Sequence, residues 1–283
     1  MKHWLIQSSG LRRTDEMTLK LIRELEDSGS TWCDFGLIPF TTEVTNWENF
    51  PEADAYFLHG STKALRVFTE GKVPATEIFV GATEEHAEKL LARVRKGIFY
   101  DADRFDMSQY LPEIRRHALN GHGEIMKLHE LMDRSFSTPK FVKPGRDLKI
   151  FNGAVIEANT KFSDYIGTSQ YDSYFNESMD ENVIVADPVN ILAEWRFFIV
   201  GHHVAAASQY KYFDKVKPSS YVPHHIKEAA KKMMNNYRPA KCFTMDLALT
   251  DTFDLRIVEY NCINCSGVYA ANVSDLAFEL RWA

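Results

Sequence analysis

The chain has 283 residues, which at roughly 100–200 residues per domain predicts two domains with sizeable cores. Hydrophobic residues make up 45% and charged residues 25%, ordinary for a globular protein. Lysine plus arginine total 33 against 39 acids, a net charge of −6 that argues against a protein built around a basic nucleic-acid surface. No apolar run approaches the roughly 18 residues of a membrane helix; the best, Phe197 to Val200, is broken by Gly201-His202-His203. The opening MKHWLIQSSG is too short in apolar residues for a secretory signal, and four cysteines form no disulfide framework. The expectation is a cytoplasmic enzyme or binding protein, without membrane or nucleic-acid partners.

In chain order, His3–Gln7, Phe35–Phe40, Ala53–Leu58 and Glu77–Val80 are predicted strands. Between the first two, Thr14-Asp15-Glu16 caps a stretch with Met17, Leu21, Ile22 and Leu25 at helical spacing. A second helix follows Ser61, and a third runs from about Thr83 to Lys96. Such alternation predicts βαβ units around a largely parallel sheet. From about Asp101 to Arg134 the chain reads as polar and helical, broken at Gly121-His122-Gly123.

The character then changes. Lys140–Pro144, Gly153–Ala158, Asn182–Asp187, Glu194–Val200, His203–Lys211, Lys241–Thr250 and Leu255–Asn261 all read as strands, several as antiparallel hairpins. One amphipathic helix interrupts them, with Ile226, Ala230, Met233, Met234 and Tyr237 on its apolar side. The expected fold is an α/β front domain followed by an α+β back half.

The most informative stretch is KCFTMDLALTDTFDLRIVEYN, residues 241–261. Phe243, Met245, Leu247 and Leu249 share one strand face, and Thr244, Asp246 and Ala248 the other. In the second strand Ile257, Glu259 and Asn261 share a face. A four-residue turn over Asp251–Asp254 pairs Thr250 with Leu255 and so places Asp246 opposite Glu259. Two carboxylates opposed at roughly 5 Å repel by about 3 kcal/mol at an effective dielectric near 20. The patch therefore invites a divalent cation, and all-oxygen ligands favour magnesium or manganese over zinc. A solvated hairpin face, with the acids in water, is the plainer alternative.

A second hairpin, AEWRFFIVGHHVAAASQYK, turns at Gly201-His202. Pairing Val200 with His203 puts Arg196 opposite Ala207 and Glu194 opposite Gln209. One face then carries Glu194, Arg196, Gln209 and Lys211, which suits an anionic ligand or an exposed polar surface; the other carries Trp195, Phe197 and Ile199. A third segment, KFVKPGRDLKIFNG, ends a hydrophobic strand at Lys143. It continues as a basic, glycine-containing loop with Arg146 and Lys149, suited to covering phosphate. It is neither of the two common glycine-rich phosphate motifs.

In order and spacing these three pieces resemble the ATP-grasp fold. FVKPxxxxKxFNG followed by VADPVNILAEWRFFIV and SQYK is similar to the ATP-grasp clade named for one arginine and two lysines, most like its family 3. Members of that clade are predicted carboxylate–amine ligases, many in bacteriophages and bacteria. The resemblance covers roughly residues 135–275 and implies a pre-ATP-grasp-like α/β domain over 1–105 and an ATP-grasp domain over 106–283. The latter would divide into a central subdomain at about 135–187 and a C-terminal one at about 188–283, two α+β subdomains holding nucleotide between antiparallel sheets.

By position, the resemblance implies that Lys143 contacts the nucleotide phosphates and that Lys149 is the loop lysine. It gives the adenine hinge to Val185, Ala186 and Asp187, and a place near the ribose to Glu194. Arg196 and Lys211 would be the remaining cations, and Asp246, Glu259 and Asn261 the magnesium ligands. The implied cofactors are ATP and Mg2+, with Mn2+ as an alternative; the substrates are a small-molecule or peptide carboxylate and an amine, joined through an acylphosphate. A homodimer is compatible with this reading. A phosphotransferase and a nucleotide-binding scaffold remain alternatives. The family often has proline-glycine soon after Glu-x-Asn, whereas EYNCINCSG delays its glycine to Gly267.

Cys262-x-x-Cys265 lacks a second pair and reads as loop cysteines beside the acceptor pocket more than as a zinc or redox motif. His202-His203 and His224-His225 read as surface pairs. Tyr165, Tyr171, Tyr174 and Phe175 could stack on a base, or pack as core or lid.

Overall fold

The structure, a computed structural model, describes residues 2–8, 16–146, 150–166, 175 and 177–283, without the side chains of Lys2 and Met17. The predicted cap at Thr14-Asp15, Lys149, Tyr171 and Tyr174 lie outside the described residues.

The front of the chain forms a four-stranded sheet from β1 (Lys2–Gln7), β2 (Trp32–Leu37), β3 (Val44–Thr45) and β4 (Ala55–His59). Its order is β3-β2-β1-β4, with β2 and β4 parallel to β1 and the short β3 antiparallel to β2. The helix Thr62–Thr69 starts where predicted, because the Ser61 hydroxyl accepts from the Ala64 amide. Thr83 caps Glu84–Arg95 in the same way, and Ala87, Leu90, Leu91 and Val94 give that helix its buried stripe.

Two expectations fail here. Glu77–Val80 is not a strand: Pro74 precedes a single helical turn, Ala75–Ile78, and Ala75, Ile78 and Phe79 are buried at helical spacing. The second strand ends at Leu37, before Phe40, whose backbone is left-handed at φ 64 and whose ring is fully exposed in a turn.

A second four-stranded sheet contains β5 (Glu124–Lys127), β6 (Lys140–Pro144), β7 (Ala154–Ile156) and β8 (Asn182–Ala186), all antiparallel in the order β5-β8-β6-β7. Strand β5 lies within the stretch read as helical. It is four residues long at a sheet edge, too short for its alternation to stand out.

The largest sheet has five strands: β9 (Ile191–Val200), β10 (His203–Tyr212), β11 (Lys215–Ser219), β12 (Cys242–Thr250) and β13 (Leu255–Asn261). Their order is β11-β10-β9-β12-β13, and every pairing is antiparallel. Sequence patterning missed β11, an exposed edge strand with lysines and Pro218, which hides the alternation and protects the edge.

Burial explains why β9 reads as an almost unbroken apolar run. Trp195, Phe197 and Ile199 join one core that reaches Leu5, Phe35 and Leu58 of the front sheet. Phe198 and Val200 point the other way, into a second core with Trp4, Ile6, Phe57 and Leu276. The front sheet and the five-stranded sheet thus share both cores through the period-two alternation of their central strands. The β5-β8-β6-β7 sheet has its own core, around Val142, Phe151, Phe162 and Val183.

Candidate functional site

The hairpin β12–β13 places Asp246 opposite Glu259, as the residue count predicts, but by a different route. Near the turn Leu249 pairs with Leu255, one residue out of the expected register. The turn is longer, with the Thr250 amide bonded to the Asp254 carbonyl and Phe253 left-handed at φ 62. A β-bulge at Val258 takes back that residue, so that Leu247 faces Ile257 while Asp246 faces Glu259. The same bulge puts Ile257 in the core and not on the face of Glu259 and Asn261.

The β9–β10 hairpin turns as predicted, with Gly201 left-handed at φ 58, yet its register departs through two bulges. Arg196 faces Ser208, not Ala207, and Glu194 faces Lys211, not Gln209. Gln209 falls opposite Trp195 and leaves the predicted polar face. Alternation alone cannot reveal a bulge, because each inserted residue flips everything beyond it.

Three strands then bring four predicted residues to one cavity of about 500 Å³. Lys143 comes from β6, where its neighbour Val142 is buried on the opposite face. Arg196 comes from β9, and Glu259 and Asn261 from β13. Lys143 Nζ lies 2.6 Å from Glu259 Oε2, and the Asn261 amide donates to Glu259 Oε1 at 2.9 Å. Burial pushes the Glu259 carboxyl up, but Lys143 and Asn261 outweigh it and hold it at about 2.

Asp246 is 1% exposed and lies behind Arg196, off the cavity wall. The guanidinium donates to both of its oxygens, Nε to Oδ1 at 2.8 Å and Nη2 to Oδ2 at 2.7 Å. Burial raises the Asp246 pKa, opposed by the charge and hydrogen bonds of Arg196. The guanidinium also sits over the rings of Tyr210 and Tyr269, 5.7 and 5.4 Å from their centroids, and these two rings stack on each other.

The remaining predicted residues take other places. Lys211 pairs with Glu194 at 3.0 Å, and the Tyr210 hydroxyl donates to the same carboxylate at 2.5 Å. Val185 and Ala186 are buried at the end of β8, and Asp187 pairs with Lys140. None of these five lines the cavity. Tyr165 is half-exposed and stacks on Phe162, while Phe175 is buried in the core of the small sheet. His203 pairs with Glu279, and His224-His225 open a helix and are exposed.

The donor set of the site is two carboxylates and an amide, hard oxygen ligands that suit magnesium or manganese. Glu259 and Asn261 offer theirs at the cavity wall, whereas both oxygens of Asp246 are engaged by Arg196. Among the described residues no group of three His, Cys, Asp or Glu side chains is gathered closely enough to hold a metal. A cation here therefore depends on Asn261, and on Lys143 leaving Glu259.

One structural residue escaped the sequence reading. Asn264, 1% exposed, joins the loop after β13 to the front domain. Its amide donates to the carbonyls of Leu58 and Gly97 at 2.7 and 2.8 Å, and its Oδ1 accepts from the Phe99 amide at 2.8 Å. Its own carbonyl accepts from Gly60. Gly97 is required there, because a Cβ would lie 1.7 Å from the Tyr56 carbonyl oxygen. The signal was present as an asparagine within an apolar CIN turn, but one polar residue does not name its partners. Cys262 and Cys265 flank this turn and line the cavity; burial pushes the Cys262 thiol well above its ordinary range and keeps it protonated.

Known proteins place this geometry in a family. No curated protein matches the chain by sequence. Several solved structures share its fold over nearly the whole length. D-cycloserine synthetase DcsG has a TM-score of 0.57 at 10% identity, covering 98% of this chain and 99% of that chain. The ATP-grasp ligase PsnB, complexed with minimal precursor, has a TM-score of 0.52 at 10% identity, covering 99% and 98%. D-alanine–D-alanine ligase from Bacillus anthracis has a TM-score of 0.53 at 14% identity, covering 99% and 97%. At such identities the likeness establishes the fold: an α/β front domain followed by an ATP-grasp fold. The sequence over residues 123–277 matches the ATP-grasp domain, R2K clade family 2; the likeness to family 3 in the motif wording finds no support in that match. With more than half of its length matched, the chain belongs to the R2K clade of the ATP-grasp family.

Proposed function

We propose that the protein is an ATP- and magnesium-dependent carboxylate–amine ligase that releases ADP and phosphate. One observation carries this reading: Lys143, Arg196, Glu259 and Asn261 converge on a single cavity from three strands of two sheets. Family membership supplies the chemistry such a convergence serves. The D-alanine–D-alanine ligase of similar fold is known in complex with ATP.

In this reading a substrate carboxylate oxygen attacks the γ-phosphorus of ATP and the bond to the ADP oxygen breaks. An amine then attacks the carbonyl carbon of the acylphosphate, and phosphate leaves with formation of an amide. Charge building on the transferring phosphoryl is offset by Lys143 and Arg196, with Lys149 assigned by resemblance. Glu259 and Asn261 would hold Mg2+, or Mn2+, at the cavity wall, with Asp246 joining them only where Arg196 releases one of its oxygens; the ion supplies electrostatic stabilisation of the phosphates when bound. By resemblance alone, and from positions outside the cavity lining, Val185, Ala186 and Asp187 are assigned to adenine, Glu194 to the ribose side and Lys211 to the remaining phosphate charge. The substrates are a small-molecule or peptide carboxylate and an amine.

The test is ADP release from Mg-ATP with amino acids and peptides offered in pairs. ADP release that requires the amine is expected. Release with the carboxylate partner alone would instead mark a phosphotransferase, and tight ATP binding without release on any pair would mark a scaffold. Asp246→Asn with Glu259→Gln should abolish metal-dependent turnover; near-normal turnover would overturn the metal assignment.

A further inference from the structure

Four charged side chains meet at the site as two closed pairs. Lys143 Nζ lies 2.6 Å from Glu259 Oε2, and Arg196 holds both oxygens of Asp246. Each pair joins a residue assigned above to phosphate with one assigned to metal. Each pair is therefore neutral by itself, and Arg146, which also lines the cavity, is taken up by Asp103 and Asp106. A bare divalent cation would have to strip Lys143 from Glu259 and leave an ammonium that is only 13% exposed without a partner. A bare nucleotide would draw Lys143 to its phosphates and leave the Glu259 carboxylate without its counterion, with the Asn261 amide still donating to it. Arriving together, the metal replaces Lys143 on Glu259 while the phosphates receive Lys143.

The two pairs are not equally free to exchange. Arg196 is held by Asp246, by two tyrosine rings and by a contact to the Gly267 carbonyl. Lys143 has a flexible four-carbon stem near the end of β6, before Pro144-Gly145, and Glu259 keeps Asn261 when the lysine departs.

We propose that Lys143 is a resident counterion that closes the metal site in the empty protein, so that divalent metal and nucleotide enter as a coupled pair. The inference rests on the ATP and magnesium reading above. By linkage, whatever factor nucleotide adds to metal affinity, metal adds to nucleotide affinity.

The probe is Mn2+ alone, titrated into the full chain and followed by the electron paramagnetic resonance of the free ion. Lys143→Gln should bind Mn2+ at least about tenfold more tightly than the wild type, within the usual range of coupling between sites. Lys143→Gln with Glu259→Gln should return to weak binding. A second measurement needs no variant: by calorimetry, wild-type affinity for the non-hydrolysable analogue AMP-PNP should fall at least about tenfold when EDTA replaces Mg2+. Equal Mn2+ affinity in wild type and a folded Lys143→Gln, or AMP-PNP affinity unchanged by EDTA, would overturn the counterion role alone. Failure of AMP-PNP to bind wild type even with Mg2+ would overturn the nucleotide reading instead.

Discussion

Arg196 on β9 and Asp246 on β12 stand directly opposite in the sheet register, and the guanidinium meets both carboxylate oxygens in a buried bidentate pair. The pair ties the central strand of the large sheet to the strand that positions Glu259. Removing one partner leaves the other charge buried and uncompensated. Arg196→Met should therefore cost about 3–5 kcal/mol, read from urea unfolding. A loss below about 1 kcal/mol would show that the pair contributes little to the fold.

The Lys143–Glu259 pair carries a pH signature. The Glu259 carboxyl is held at about 2 against an ordinary 4.5. A depressed carboxyl stabilises the fold above its unfolded pKa, and that contribution disappears as pH falls toward the folded value. Lys143→Met removes the partner. The stability gap between wild type and variant should be full near pH 6 and should narrow from about pH 4.5 down to about pH 2. Asp246, raised by burial, is present in both chains and cancels to first order. A gap constant across that range would contradict the assignment.

Asn264 links the loop beside the cavity to the front domain through three side-chain hydrogen bonds with backbone groups. Asn264→Ala would leave buried carbonyls and an amide without partners, at a cost of about 3 kcal/mol by chemical denaturation. Asn264→Asp should be comparably harmful, since it loses the two donor bonds to Leu58 and Gly97. A neutral alanine variant would mean that the loop holds its place by packing.

Phe253 is 77% exposed and left-handed at φ 62, a backbone state that disfavours a bulky side chain. Phe253→Asn should raise stability by about 0.5–1 kcal/mol without moving Asp246 or Glu259. Unfolding midpoints of the two chains provide the measurement, and a destabilised variant would show that the exposed ring makes contacts worth more than the strain.

Much of the architecture was legible because it rests on local periodicity. The helix caps at Ser61 and Thr83, the alternation of β12 and the apolar run of β9 are visible in neighbouring residues, and burial follows directly from them. Lys143, Arg196, Glu259 and Asn261 were identified as site residues from motif order, and the structure brings all four to one cavity. The turn at Pro74–Phe79, the edge strands β5 and β11, and the bulges were not legible. The first three are too short or too polar for a period to stand out, and a bulge shows only against the strand opposite.

Motif order and spacing were enough to indicate an α/β front part, a likeness to ATP-grasp proteins and a cluster of acids and cations in the back half. They also placed Asp246 across from Glu259, although through a count in which an extended turn and a bulge at Val258 cancel. How those charges pair came from the fold: Arg196 with Asp246 and Lys143 with Glu259, and Lys211 with Glu194 outside the cavity. Hydrophobic pattern determines which face of a strand is buried. The pairing of charges depends on register and on contacts between sheets more than a hundred residues apart, as between Lys143 and Glu259.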